Sequence, residues 1–168
     1  LLSRINFNRS SLAMFNLHHR INRILIKLSY RFGVSKLFSM PKMLALDPTN
    51  LCDLKCPLCP TGLRDKTIER GSIKLEQFKT IIDRLAKHLQ SINLYSWGEP
   101  LLHKSLVDMI RHTAISHKIR TITSVHLGNL SDEQVEGLAT SRLDKLIVSV
   151  DGATQEVYEK YRVGGNIE

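Results

Sequence analysis

The chain alternates short apolar runs with longer stretches in which apolar residues recur every three or four positions. Four short runs, β-branched or apolar and bounded by turn residues, predict strands at Met43–Leu46, Ile92–Tyr95, Ile119–Ser124 and Lys145–Val150. Helical periodicity follows each of them, over 73–90, 103–117, 132–140 and from Thr154 through Tyr161. This βαβαβαβα order is typical of a parallel sheet covered by helices. We therefore predict an α/β fold, a partial (β/α) TIM-like barrel, because a full eight-unit barrel takes about 250 residues.

An amphipathic helix is predicted over residues 12–32, ahead of the strands. Its apolar stripe consists of Leu17, Ile21, Ile24, Leu28 and Phe32. The basic stripe beside it consists of Arg20, Arg23, Lys27 and Arg31. Two arrangements are open. The usual one is a helix docked on the body with its basic edge in water, and the other is a surface helix that contacts anionic lipid or an acidic partner.

The net charge of +8 belongs to the N-terminal part of the chain. Residues 1–46 carry eight basic and no acidic side chains, which leaves residues 47–168 neutral. A neutral main body excludes a basic nucleic-acid-binding domain, and no nucleic-acid partner is expected. No uncharged apolar run approaches the roughly 20 residues of a transmembrane helix. We predict a basic helical arm over 1–42 and a core over 43–168.

All three cysteines, Cys52, Cys56 and Cys59, lie just after the first predicted strand. An odd number within eight residues is a poor disulfide framework, so we expect reduced thiols of a cytoplasmic protein that act as ligands. Nearby prolines exclude regular secondary structure, so the thiols can converge on one centre. Thiolates bind iron–sulfur clusters or zinc. The alternative to a cluster is a non-catalytic, zinc-stapled binding module completed by a distant histidine such as His103, although the spacing fits zinc patterns poorly.

Polar residues also follow the other predicted strands. After the second strand, Gly98 permits close backbone approach, Glu99 offers an anionic acceptor and Pro100 stiffens the turn. The third and fourth strands are followed by Ser124, His126, Ser149 and Asp151. Functional loops of parallel α/β sheets follow the carboxyl ends of strands, so we expect one site there.

The Cys-x3-Cys-x2-Cys spacing and these strand-end motifs, in this order, resemble the radical S-adenosylmethionine superfamily. The resemblance covers residues 43–168. Within the superfamily, the chain resembles the branch whose members carry auxiliary iron–sulfur clusters in a C-terminal (SPASM-type) extension. It implies that about four of six barrel units are present. The chain is then expected to be the N-terminal part of an enzyme, and to bind a cluster poorly or without turnover on its own.

The resemblance also implies the roles of the site residues. Cys52, Cys56 and Cys59 would hold a [4Fe–4S] cluster that binds S-adenosylmethionine and cleaves it reductively to start hydrogen abstraction from an unidentified peptide or small-molecule substrate. The cofactor contacts it implies are Gly98, Glu99 and Pro100 for the ammonium group, and Ser124, Ser149 and Asp151 for the ribose or carboxylate side. An electron donor such as flavodoxin or ferredoxin is implied as a partner.

Three positions depart from the pattern of this family. Leu58 replaces an aromatic residue that packs near adenine, a contact that leucine can still make. Trp97 replaces a glycine and could equally cap the core. His126 replaces an asparagine, and either keeps the polar role with one hydrogen bond or is a plain surface residue. The alternative for Asp151 is that it only caps the following helix.

Overall fold

The computed structural model describes residues 9–126, 128 and 130–167, and their side chains from Leu17 onward. Within these ranges the strands are β1 (Met43–Ala45), β2 (Ser91–Asn93), β3 (Arg120–Val125) and β4 (Lys145–Val148). The α-helices are α1 (Arg9–Phe32), α2 (Leu75–Leu85), α3 (Leu106–Arg111), α4 (Asp132–Thr140) and α5 (Gln155–Tyr161). Within these described residues, no helix combines the length and hydropathy that crossing a bilayer requires.

The strands form one parallel sheet in the order β1-β2-β3-β4. Leu44 pairs with Ile92, Ile92 with Thr121, and Thr123 with Leu146. Each strand returns to the next through a helix, so all four carboxyl ends meet at one edge. The predicted α/β fold of four parallel strand–helix units is confirmed.

The core lies between the sheet and the helices α2, α3 and α4. Its fully buried members include Phe78 and Ile82 from α2, Met109 and Ile110 from α3, and Ile92 from β2. The spacing of four between Phe78 and Ile82 puts both on one helical face, as the periodicity predicts. Burying such side chains stabilises the fold by about 1.5–3 kcal/mol each.

The helices predicted over 73–90 and 103–117 are shorter in the structure than the periodicity indicates. Ser72 forms an antiparallel bridge with Thr49, and the amide of Ile73 donates to the Pro48 carbonyl at 2.9 Å, so the chain stays extended there and α2 begins at Leu75. The predicted helix over 103–117 is divided. A 3₁₀ turn spans Pro100–Leu102, α3 follows, and a π-helical turn spans His112–Ser116.

Helix α1 contacts the body through a polar face. Asn22 exchanges two hydrogen bonds of 2.8 Å with the backbone of Met40, and buried His19 hydrogen-bonds to the backbone of Lys87. The predicted apolar stripe lies on the opposite side and is exposed at Leu17, Ile21, Ile24, Leu28 and Phe32. The helix is docked through this polar face, so both its basic side chains and its apolar stripe remain exposed.

Candidate metal and cofactor site

The three cysteines lie on an irregular loop that continues from β1. Cys56 is buried, Cys52 and Cys59 are half-buried, and all three are free thiols. The amide of Cys59 donates to the Cys56 carbonyl at 3.2 Å, and the amide of Lys55 donates to the Val163 carbonyl at 2.9 Å. The three side chains line one cavity of about 240 Å³. As predicted from the order of the elements, this cavity lies at the carboxyl ends of the strands.

The loop after β2 packs directly on the cysteine loop. A Cβ atom at position 98 would lie 1.9 Å from the Thr49 carbonyl oxygen, so only glycine permits this approach of two backbones. The next amide, that of Glu99, donates to the Leu51 carbonyl at 2.8 Å. Gly98 therefore fixes the position of the Glu99 side chain relative to the cysteines. Pro100 is buried behind the cavity as the first residue of the 3₁₀ turn and does not line it.

The Glu99 carboxylate is buried and held by the backbone. One oxygen accepts from the amide of Leu101 and the other from the amide of His126, both at 3.0 Å. Burial raises the pKa of Glu99, and the nearby His126 ring opposes that shift. The Glu99 side chain thus lines the cavity as an oriented hydrogen-bond acceptor, and its role toward a ligand stays a prediction.

His126 is buried, so the interpretation of this histidine as a plain surface residue is wrong. Its Nδ1 accepts from the amide of Gly128 at 3.0 Å, which places the ring proton on Nε2. This Nε2 lies 2.9 Å from Oδ1 of Asp53 and 3.3 Å from Oε2 of Glu99. The ring thus links the cysteine loop to the loop after β2.

The serines at the ends of β3 and β4 also meet at the cavity. The hydroxyl oxygens of Ser124 and Ser149 are 3.3 Å apart, and both residues line the cavity. Asp151 does not line it, and its carboxylate instead accepts from Nε of Arg162. Thr154, whose hydroxyl accepts from the amide of Val157, caps α5, so the interpretation of Asp151 as that cap is wrong.

Arg162 is a cavity residue that the sequence analysis did not single out. Its Nη1 lies 4.0 Å from Sγ of Cys56 while Asp151 holds its Nε, so a cation faces the thiols. Arg162 directly follows the helix predicted from Thr154 through Tyr161, and no pattern in that segment marks it as a cavity residue. Trp97 is 54% exposed at the mouth of the cavity, so the alternative that it caps the core is wrong. Leu58 is exposed outside the cavity, and its packing on adenine stays a prediction.

The donor set of the loop fits an iron–sulfur cluster better than a zinc ion. Among the described residues, the groups whose ligand atoms all lie within 4.8 Å of one another are Cys52–Asp53–His126 and Asp83–His112–His117. Neither group holds more than one cysteine, so the three thiols are not gathered around one ion, whereas thiolates of a cluster bind separate irons. His103, the predicted fourth zinc ligand, has both ring nitrogens engaged, with the Ile73 carbonyl and the Ser105 amide.

Comparison with known proteins agrees with this geometry. The family model described as Radical SAM superfamily matches residues 46–168. A PqqA peptide cyclase of Rhodopseudomonas palustris is 33% identical over 136 residues, which cover 79% of this chain and 34% of that protein. An AdoMet-dependent heme synthase of Methanosarcina barkeri is 28% identical over 122 residues, with 73% and 34% covered. The chain spans about a third of the length of these curated relatives.

Solved structures share the fold. BtrN in complex with AdoMet and 2-DOIA is 25% identical with a TM-score of 0.59, over 76% of this chain and 53% of BtrN. Streptococcus suis SuiB bound to S-adenosylmethionine is 18% identical with a TM-score of 0.65, over 95% of this chain and 35% of SuiB. The likeness confirms the expected barrel-like arrangement of the strand–helix units.

Proposed function

The chain belongs to the radical S-adenosylmethionine superfamily, whose members are enzymes that use a [4Fe–4S] cluster and S-adenosylmethionine, and we propose that Cys52, Cys56 and Cys59 hold this cluster. The observation that carries the proposal is that three free thiols line one cavity together with a buried carboxylate. When bound, the cluster supplies the electron for reductive cleavage of S-adenosylmethionine, which starts hydrogen abstraction from the substrate.

We propose that Glu99 binds the ammonium group of S-adenosylmethionine. Two backbone amides fix its oxygens, so the carboxylate is already oriented and does not have to be ordered on binding. A cation in the cavity favours the charged carboxylate and offsets the effect of burial on its pKa. Gly98 contributes by bringing this carboxylate next to the cysteine loop, and Pro100 by fixing the turn that follows.

The remaining polar residues would serve the ribose and carboxylate side of the cofactor. The hydroxyls of Ser124 and Ser149 are close enough to bind one ligand atom together. Asp151 would act indirectly, because it holds Arg162 against the cysteine loop. We assign to Arg162 the role of balancing thiolate charge near Cys56, which sequence reasoning had not assigned.

Anaerobic reconstitution with iron and sulfide tests the cluster. We expect a brown protein with about four irons and four acid-labile sulfides per chain, the composition of a [4Fe–4S] centre. Cys56→Ser should lose most of this iron. A colourless protein with stoichiometric zinc would instead support the zinc-stapled module and overturn the proposal.

The Glu99 assignment has its own test in the reconstituted protein. Glu99→Gln removes one charge and keeps the size of the side chain. Loss of a charge-assisted hydrogen bond costs about 1.5–3 kcal/mol, so the affinity for S-adenosylmethionine should fall about 10- to 100-fold. The control is Glu133→Gln, an exposed residue in the first turn of α4. Equal affinities of the two variants would refute the assignment and leave the cluster proposal standing.

For the substrate we propose a peptide. The support is the 33% identity to a PqqA peptide cyclase, and SuiB, which shares the fold, has been solved with the precursor peptide SuiA. A low-potential donor such as flavodoxin or ferredoxin would supply the electron. Because the chain is expected not to turn over on its own, binding is the test: the reconstituted chain should bind PqqA peptide and not GTP, the substrate named for other relatives, in isothermal titration calorimetry. Binding of GTP alone would contradict a peptide substrate.

The oxygen-sensitive chemistry of three reduced thiols supports a cytoplasmic location. We also propose the boundary at 42/43 between the basic arm and the core. Bonds between Asn22 and Met40 hold the arm together internally, the hydrogen bond of His19 to the Lys87 backbone joins it to the core, and the first strand begins at Met43.

We propose that α1 contacts an anionic membrane surface, because its exposed apolar stripe lies beside exposed Arg20, Arg23, Lys27 and Arg31. The whole chain should sediment with anionic vesicles at low salt and less at high salt. Ile21→Gln combined with Ile24→Gln should abolish binding. Val135→Gln, which changes an exposed apolar residue on α4, should not. An absence of binding to anionic vesicles would refute this contact.

A further inference from the structure

A second group of metal-ligand side chains lies in the outer helical layer, away from the cysteine cavity. Asp83 is in the last turn of α2, and His112 and His117 lie at the beginning and just after the end of the π-helical turn. The two Nε2 atoms are 2.8 and 2.6 Å from the same Asp83 oxygen, Oδ1. Helices of such a fold run back against the strands, so this group is near the amino ends of the strands, opposite the cavity.

The π-helical turn is what brings the two histidines together. On a regular α-helix, residues five positions apart point about 140° away from each other. The wider turn instead brings the rings of His112 and His117 to a centroid distance of 4.9 Å. Such turns are rare and occur frequently at functional sites.

Buried Thr113 holds this turn in place. Its hydroxyl hydrogen-bonds with the carbonyls of Met109 and Ile110 and lies 2.7 Å from the hydroxyl oxygen of Thr121 on β3. The turn is thus fixed to the sheet by the core and does not depend on the histidines. The histidines are presented by a rigid element, as a binding site requires.

We propose that Asp83, His112 and His117 bind a divalent cation of the zinc class. The ligands would be the two Nε2 atoms and one carboxylate oxygen, all of which already lie within 4.8 Å of one another. Imidazole and carboxylate are ligands that zinc accepts, and three protein ligands leave a fourth position for water. On binding, each neutral imidazole gives up to solvent the Nε2 hydrogen that points at Asp83 and takes up one on Nδ1, so that both Nε2 lone pairs and the carboxylate oxygen face the ion and no net proton is released.

The burial of these three side chains suits a metal site. The imidazoles are 17% and 24% exposed, which restricts their rotation, whereas Asp83 is 54% exposed and leaves a path from solvent. The ion would join the end of α2 to the end of the helix that follows β2. We therefore assign it a structural role, independent of the proposed cofactor site.

Zn²⁺ titration against a chromophoric chelator tests the site. The cluster-loaded protein is used, so that the cysteine thiols are occupied, and the same titration on iodoacetamide-alkylated protein covers the case in which no cluster forms. The variants are His112→Gln and His117→Gln, with His18→Gln on the exposed surface of α1 as the control.

We expect the wild type and the control to bind one more equivalent of Zn²⁺ than either variant. Changes in residues that only support metal ligands cost 10- to 100-fold in affinity, so loss of a ligand should cost more than about 100-fold. Zn²⁺ should also raise the unfolding temperature of the wild type and the control but not of the variants. Equal stoichiometry and affinity in all four proteins would overturn the proposal, whatever the cysteines bind.

Discussion

Replacement of Gly98 by alanine should destabilise the protein because the loops after β1 and β2 are in backbone contact there. The new Cβ would lie 1.9 Å from the Thr49 carbonyl oxygen, 2.7 Å from its carbonyl carbon and 2.8 Å from Cα of Asn50. Non-bonded carbon atoms prefer separations of about 3.5–4.0 Å. The neighbours are backbone atoms that cannot rotate away, so the two loops must move apart by roughly 1 Å or more.

The cost of this movement has two parts. Overpacking of a tight contact costs about 1–3 kcal/mol. Separation of the loops also breaks the 2.8 Å hydrogen bond from the Glu99 amide to the Leu51 carbonyl, which adds about 1 kcal/mol. For a chain of this size each kcal/mol lowers the unfolding temperature by about 2–4 °C, so a fall of about 4–16 °C is expected.

Thermal unfolding followed by circular dichroism measures this effect. Gly71→Ala is the matched control, because a Cβ atom at position 71 has nothing within 4 Å and its backbone needs no left-handed conformation. After reconstitution, Gly98→Ala should also retain less iron than the control. If the two alanine variants unfold at the same temperature, the close approach of the loops does not constrain the protein and our account of Gly98 is refuted.

Three further predictions concern Gly62, Thr113 and Cys52. Gly62→Ala places a Cβ 2.5 Å from the Cys56 carbonyl oxygen, so reconstituted iron should decrease; iron content equal to wild type would contradict that contact. Thr113→Val removes the hydroxyl between the π-helical turn and β3 and should lower stability by about 1 kcal/mol in urea unfolding, whereas the exposed control Thr80→Val should cost less. In metal-free protein, burial raises the pKa of the Cys52 thiol to about 11. The alkylation rate of Cys52, followed by mass spectrometry, should therefore keep rising at pH values where the rate in the urea-unfolded chain is already constant. If both rates become constant at the same pH, the prediction is refuted.

Local signals in the sequence predicted the elements well. Ser131 and Gln134 form the reciprocal cap that starts α4, as their spacing predicts, because both partners lie within one helical turn. The face of α1 that meets the body was not predictable in the same way. Periodicity identifies an apolar stripe, but Asn22 and His19 make the contacts, and their partners near Met40 and Lys87 are distant in sequence.

The candidate site was predictable where each residue follows a strand. The cysteines, Glu99 and the two serines lie at one cavity because parallel strands bring their carboxyl ends to one edge. Arg162 lies beyond a helix, and nothing in its own segment indicates that it faces Cys56. The burial of His126 also depends on partners in two other loops, Asp53 and Glu99, which a linear pattern does not reveal.

The contact between Arg162 and Cys56 spans 106 residues of sequence, and this separation affects the protein during its synthesis. At 5–20 residues per second, a ribosome adds those residues in roughly 5–20 s. Throughout that interval the cysteine thiols have been made but the cation that faces them has not. The thiols of the nascent chain therefore pass through a period of exposure to oxidants and stray metal ions, and correct assembly of the site has to follow translation of its last helix.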